Sequence, residues 1–477
     1  MRGVAAALAL AAPLAALAGL APRYGGELSV ALAGAPADLD PARISDPAEL
    51  EAARALHATL VEWGPGGALR PGLLASLPEA EPGARAFRLR LRPGLRFQDG
   101  RPVTAGDVAA SLARLLAPQT RSLHGWIALP VAGAEEVREG RASALSGAQV
   151  LGELELRLVL DAPFPDFPAA LAALPSAILA RGSQGSGAGP FRLASRGPDG
   201  ALRLTAFDGH FRGRAYADGV NVLGADGRRA ARAVGRGEVD LVLRPEAAAG
   251  ATTRDLPQVT ATYAVVNARR LGPAGDLIRR AIFELDRPEL GRLAGRGRVS
   301  PLAALLPPSL LPQGAPPAAR PAARIADTPR VSLVVADANR ALADRLQVKL
   351  FDRGVRVAVE AVSRSALAAR LASGNYDLAV VSLTFTSGSA QPALLEVAWA
   401  LGGPSAARRA LQRLGGSEPA TVASELAEEI GAVPLFASGL RASARPGLYG
   451  LEVLPDATVD LAELWLPPRR TAQEGAR

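Results

Sequence analysis

The sequence predicts an α/β chain of more than one structural unit, and three observations carry that prediction. Residues 330–335 read as a strand, 339–353 as a helix and 355–362 as a strand with clean alternation (VRVAVEAV). Residues 363–373 read as a second helix and 376–383 as a buried strand, so the run has the strand–helix–strand–helix–strand pattern of a parallel sheet. The chain is 477 residues long, 49% hydrophobic and 21% charged, too apolar for disorder and too interrupted by charge for a multi-span membrane protein. At roughly 100–200 residues per domain that length accommodates two to four units, and Gly 50 with Pro 39 supplies many turns.

From the N-terminus, Met1-Arg2 is a short positive head and residues 4–20 are uncharged and rich in Ala and Leu. Ala16-Leu17-Ala18 fits a small-x-small cleavage site, so 1–18 is predicted to be a signal peptide and Gly19 the first mature residue. The alternative is an uncleaved anchor, which Pro13 and the alanine run weaken. No Cys follows the site, so a lipoprotein is not expected. Residues 27–32 (ELSVAL) are a short strand and 34–41 (GAPADLDP) a turn-rich loop. Residues 46–63 read as one helix, with Leu50, Ala53, Leu56, Leu60 and Val61 recurring at three and four. Residues 87–91 (FRLRL) alternate as a half-exposed strand. A helix is predicted over 104–116, with Thr104 as N-cap and Asp107 three residues on as its partner acid. Another strand is expected at 153–160, then a Pro-rich turn at 162–168. The glycine-rich 182–189 (GSQGSGAG) matches neither G-x-G-x-x-G nor the P-loop and reads as a flexible crossing between two domains. Strands follow within 190–204, at 239–242 and at 261–266. Residues 277–293 are helical, with Pro288 ending one helix and opening another, and 302–324 is a Pro/Ala-rich linker.

Composition removes several chemistries. With Cys 0 there are no disulfides, thiol nucleophiles or thiolate metal sites. The three histidines, His57, His124 and His210, are too scattered for a local metal motif or for pairing with a motif serine. The formal charge of +8 comes almost wholly from Arg, since Lys349 is the only lysine. The densest clusters, at 228–236 and 269–280, interleave Arg with apolar and acidic residues and lack stacking aromatics, so no nucleic-acid partner is expected. No cofactor, no metal and no catalytic constellation is predicted.

Several segments then fall in a specific order. These are GGELSVALAGAPADLDPA (25–42), TLVEWGPGGALRPGLLASLP (59–78), FRLRLRPGLRFQDGRPVTAGDVAASLARLL (87–116) and GAGPFRL (187–193). FDGHFRGRAYADGVNV (207–222), Gly237-Glu238-Val239-Asp240, Asn267 and IRRAIFELDRPEL (278–290) follow. In this order the chain resembles the peptide/nickel family 5 of extracellular solute-binding proteins, the ligand receptors of ABC importers. The resemblance implies a type II periplasmic-binding-protein-like α/β fold, with two lobes joined by two crossings and an extra subdomain on the first lobe. The expected division is 19–45 with 178–260 and 435–477 as the first lobe, 46–177 as the extra subdomain, and 261–434 as the second lobe. It further implies a monomeric, periplasmic binding protein without enzymatic activity. Such a protein captures a small solute (peptide-like, nickel-chelate-like or other) and delivers it to an ABC permease in the inner membrane. The alternative is a degenerate receptor-like scaffold that serves sensing or protein interaction.

Ligands in open α/β sheets sit beyond the carboxyl ends of strands. That rule places Gly34, Ala35 and Pro36 on the first-lobe wall of the cleft, and Thr384, Phe385, Thr386 and Ser387 on the second-lobe wall. The resemblance puts the family's ammonium-binding aspartate at Thr386, where a hydroxyl supplies no compensating charge. The second-lobe wall is therefore expected to be hydroxyl-rich and uncharged, favouring neutral or anionic solutes over free peptides.

Overall fold

The structure, a computed structural model, describes residues 21–182, 185–224, 227–244, 246–293, 298–311, 325 and 330–467. The predicted signal peptide and most of the Pro/Ala-rich linker lie outside the described residues. Two large sheets organise the chain. The first has seven strands in the order Thr252–Asp255, Arg441–Ala444, Leu241–Arg244, Glu27–Leu32, Gly219–Gly224, Leu202–Ala206 and Phe191–Arg196. Glu27–Leu32 lies between two parallel neighbours, which is why it reads as a near-continuous apolar run with Val30, Ala31 and Leu32 buried. The outermost strand, Phe191–Arg196, is exposed after its first residue.

The second sheet has six strands, ordered Arg298–Pro301, Ala432–Gly439, Thr260–Val266, Leu378–Thr384, Arg330–Ala336 and Arg356–Val362. The strand–helix–strand–helix–strand run forms as expected. Arg330–Ala336 pairs in parallel with both Arg356–Val362 and Leu378–Thr384, and the helices Arg340–Phe351 and Arg364–Ser373 make the crossovers. The other half of this sheet is antiparallel, so the sheet is mixed.

A smaller four-stranded sheet, Glu79–Ala80, Ala86–Arg90, Glu155–Val159 and Ala148–Val150, builds the extra subdomain. The FRLRL alternation turns Phe87 and Leu89 inward, opposite Leu158 and Leu156. The adjoining helix Ala105–Arg114 carries the full capping box: Asp107 N donates to the Thr104 hydroxyl oxygen, and Thr104 N donates to the Asp107 carboxylate. One apolar core runs from this subdomain, through Trp126, Phe164 and Phe167, into Leu394, Leu395 and Ala398 of the second lobe's long helix Ala390–Leu414.

Three expectations shift. The helix predicted over 46–63 ends at Leu56, and Val61–Trp63 is a strand paired with Leu69–Pro71. Leu60 and Val61 fit the helical period, but the tight approach of Gly72 to the Thr59 and Leu60 carbonyls fixes an extended backbone there. The glycine-rich crossing is packed where it is described, because Gly187 and Gly189 lie against the Leu56–His57 backbone. The second lobe extends past residue 434, since Ala432–Gly439 is a strand of its sheet. The segments between the two sheets therefore fall at 256–259 and at residue 440, side by side, with Leu256 N donating to Leu440 O at 3.0 Å.

Candidate functional site

A cavity of about 740 Å³ lies where the two lobes and the subdomain meet. Both sheets aim strand ends at it. Ala33, Gly34 and Ala35, directly after the central strand Glu27–Leu32, line it from the first lobe. Val381 to Thr384, at the end of Leu378–Thr384, line it from the second lobe. Ile44 and Ser45 continue the first-lobe wall, and the subdomain adds Asp46, Pro47, Ala48, Leu50 and Ser122 to His124. Much of the wall is aliphatic, joined by the indole of Trp399.

Of the residues expected at the cleft, Gly34, Ala35 and Thr384 face the cavity. Pro36 is not among its lining residues, and its carbonyl accepts from Arg196 Nη2 at 2.7 Å. Phe385 is fully buried, with its amide donating to Val259 O at 2.8 Å, so the backbone keeps pairing past the strand end and carries the ring into the core. Thr386 and Ser387 are also buried and are not lining residues.

Their hydroxyls have another partner. Thr386 Oγ1 donates to Glu396 Oε1 at 2.8 Å, Ser387 Oγ donates to Oε2 at 3.2 Å, and both amides point at the same carboxylate. Glu396 sits two turns into the helix Ala390–Leu414 and does line the cavity. The uncharged second-lobe wall is thereby corrected: a carboxyl group lines the cavity, with the two hydroxyls behind it. Burial pushes its pKa up to about 7, against the downward pull of the Thr386 and Ser387 donors. His124 faces it from the subdomain, with Nδ1 3.8 Å from Oε1. The His124 Nε2–H donates to Ile44 O at 2.7 Å, which leaves Nδ1 as the acceptor nitrogen; burial takes its pKa down to about 4 and keeps the ring neutral.

A second carboxyl group, Glu51, also lines the cavity. It accepts from Val459 N at 3.0 Å, and burial raises its pKa to about 8. Beside it Asp456 is paired with Arg54. Arg364 of the second lobe reaches the Ser45 hydroxyl and, at 3.8 Å, Asp46 of the subdomain. Sequence reasoning missed Glu396. The signal was an isolated acid inside LLEVAWAL, a run otherwise apolar, where a charge survives only if it is enclosed and hydrogen-bonded. Among the described residues no cluster of metal-ligating side chains forms, and no helix is long and apolar enough to cross a membrane.

Residues 68–329 match the family of bacterial extracellular solute-binding proteins, family 5, middle region. The chain belongs to that family. It is 31% identical over 135 residues to the periplasmic murein peptide-binding protein MppA of Escherichia coli, covering 28% of this chain and 25% of that protein. That alignment thus spans about a quarter of the relative's length. The solved structure of MppA superposes with a TM-score of 0.71 at 18% identity, over 94% of this chain and 99% of that one. Burkholderia pseudomallei OppA gives 0.74 at 17% identity, covering 94% and 100%. Helicobacter pylori DppA in complex with the peptide STSA also gives 0.74 at 17%, covering 93% and 99%. These likenesses establish the two-lobed type II fold.

Proposed function

We propose that this chain is the solute-binding component of an ABC importer, holding a small peptide-like solute between its lobes and passing it to a membrane permease. The observation that carries this reading is the cavity. Its volume of about 740 Å³ falls within the roughly 300–1,000 Å³ typical of ligand sites, and it lies at the meeting of both sheets' strand ends. Gly34, Ala35 and Thr384 form direct walls. Thr386 and Ser387 act from behind, orienting Glu396, while Pro36 and Phe385 hold the wall segments in place. Relatives named for a murein tripeptide and for the peptide STSA support a peptide-like ligand. Binding alone is the proposed activity, without cofactor. We place the protein in the periplasm as a monomer, freed of residues 1–18 and not lipid-anchored.

Native mass spectrometry of protein purified gently from its own host should show a non-covalently held solute. The same spectra should give a monomeric chain beginning near Gly19. A solute-free chain that also shows no thermal stabilisation by a library of di- to tetrapeptides would overturn the peptide reading. A chain retaining Met1 in the membrane fraction would overturn leader removal.

A further inference from the structure

We infer that two reciprocal glycine–tryptophan seats latch the second lobe onto the subdomain and so close the cleft. This rests on the receptor reading above. The first seat joins Trp399, on the second-lobe helix Ala390–Leu414, to Gly125 of the subdomain. A Cβ built on Gly125 would stand 2.5 Å from Trp399 Cη2 and closer still to Cζ2, whereas non-bonded carbons settle at about 3.5–4.0 Å. The second seat reverses the roles. Gly388, just before the same helix, faces Trp63, and a Cβ there would lie 2.6 Å from Cε2, 2.8 Å from Cζ2 and 2.9 Å from Pro455 Cβ.

Each lobe thus offers one indole and one glycine. The helix starts two residues after Gly388, and at 1.5 Å rise per residue it carries Trp399 roughly 14 Å beyond Ala390, enough to fix its orientation as well as its distance. Polar contacts across the same seam include Arg408 Nη2 to Glu135 Oε2 at 2.7 Å, Ser389 to Asp166, and Arg364 to Asp46 at 3.8 Å. Partly exposed ion pairs such as Arg408–Glu135 contribute little. The indole seats are closely packed and therefore sterically all-or-none.

Neither glycine has a positive φ. An alanine backbone is allowed at both, and what excludes a side chain is the facing indole, joined at Gly388 by Pro455. The three atoms nearest each added Cβ all lie outside the unit that carries the glycine: those at Gly125 belong to Trp399 of the second lobe, and those at Gly388 to Trp63 of the subdomain and Pro455 of the first lobe. Gly125→Ala and Gly388→Ala should therefore leave each lobe folded while preventing the seam from closing. Trp399 also lines the cavity, which makes it a positioning residue shared by latch and binding site.

The chain has Cys 0, so Ser143→Cys in the subdomain and Ser417→Cys in the second lobe, both exposed, can carry spin labels without background. In protein as purified, double electron–electron resonance should show a short-distance population. Gly125→Ala and Gly388→Ala should each reduce that population at least tenfold, with unchanged far-ultraviolet circular dichroism. Gly152→Ala, whose added Cβ meets nothing within 4 Å, should leave it intact. Adding Trp399→Ala to Gly125→Ala should restore part of it, because the obstructing indole is gone. The latch is overturned if both glycine variants keep the wild-type distribution, if Gly152→Ala loses the short distance equally, or if the parent protein has no short-distance population. Native mass spectrometry reads solute separately, so a chain that binds nothing yet responds to the glycine variants fails as a receptor and keeps the latch.

Discussion

Glu396 sets burial directly against hydrogen bonding. Four donors from Thr386 and Ser387 favour its ionised form, yet it is fully enclosed, and burial takes its pKa from an ordinary 4.5 to about 7. An acid whose folded-state pKa is raised binds more protons folded than unfolded between those two values. Its contribution to stability is fully present below about pH 4.5 and is lost as pH rises toward 7. At about 1.4 kcal/mol per pH unit, that interval amounts to about 3 kcal/mol. Glu396→Gln cannot ionise. Its amide nitrogen would face backbone and hydroxyl donors, at a cost of about 1–3 kcal/mol, but that offset does not vary with pH. The variant should therefore gain about 3 kcal/mol relative to the parent between pH 4.5 and pH 8. Guanidinium unfolding of both proteins at pH 4.5, 6 and 8, followed by tryptophan fluorescence, measures this, and every other titration cancels in the difference. A flat difference would mean that the donors balance burial. A difference that moves against the variant as pH rises would mean that they outweigh it.

Other substitutions separate wall from core. Phe385→Ala removes a fully buried ring and should cost about 3–5 kcal/mol of stability in solute-free protein; an unchanged melting temperature would return Phe385 to the cleft. Thr386→Asp, which supplies the acid the family resemblance puts at that position, would set a second carboxyl group against Glu396 in a closed pocket. It should destabilise the protein by about 3 kcal/mol or more, and a variant as stable as the parent would contradict the described contact. Thr104→Ala breaks the capping box of the helix Ala105–Arg114 and should cost about 1 kcal/mol in urea unfolding, with faster amide exchange confined to that helix's first turn.

What the sequence made legible follows from how locally each feature is encoded. Alternation in FRLRL, the Thr104/Asp107 pair and the period-two run at 355–362 each specify structure within a few residues, and each element formed. The strand-end rule found both walls of the cavity at Gly34, Ala35 and Thr384, because a strand's carboxyl end is a local property. It failed beyond Thr384, where the backbone goes on pairing with Val259 and turns the next side chains inward. The helix Ala390–Leu414 was harder to read. Gly402-Gly403-Pro404 interrupts its period, and Gly403 is non-helical at φ 75°. The residues that decide the cleft's chemistry lie just before that break. Glu396 takes its meaning from Thr386 and Ser387, ten and nine residues earlier, and from His124, far away in the subdomain. Gly125 and Gly388 carry no local signal, since neither needs a positive φ, and each is explained by side chains distant in sequence. Local pattern thus specified the two lobes, while the chemistry and closure of the cleft depend on contacts between them.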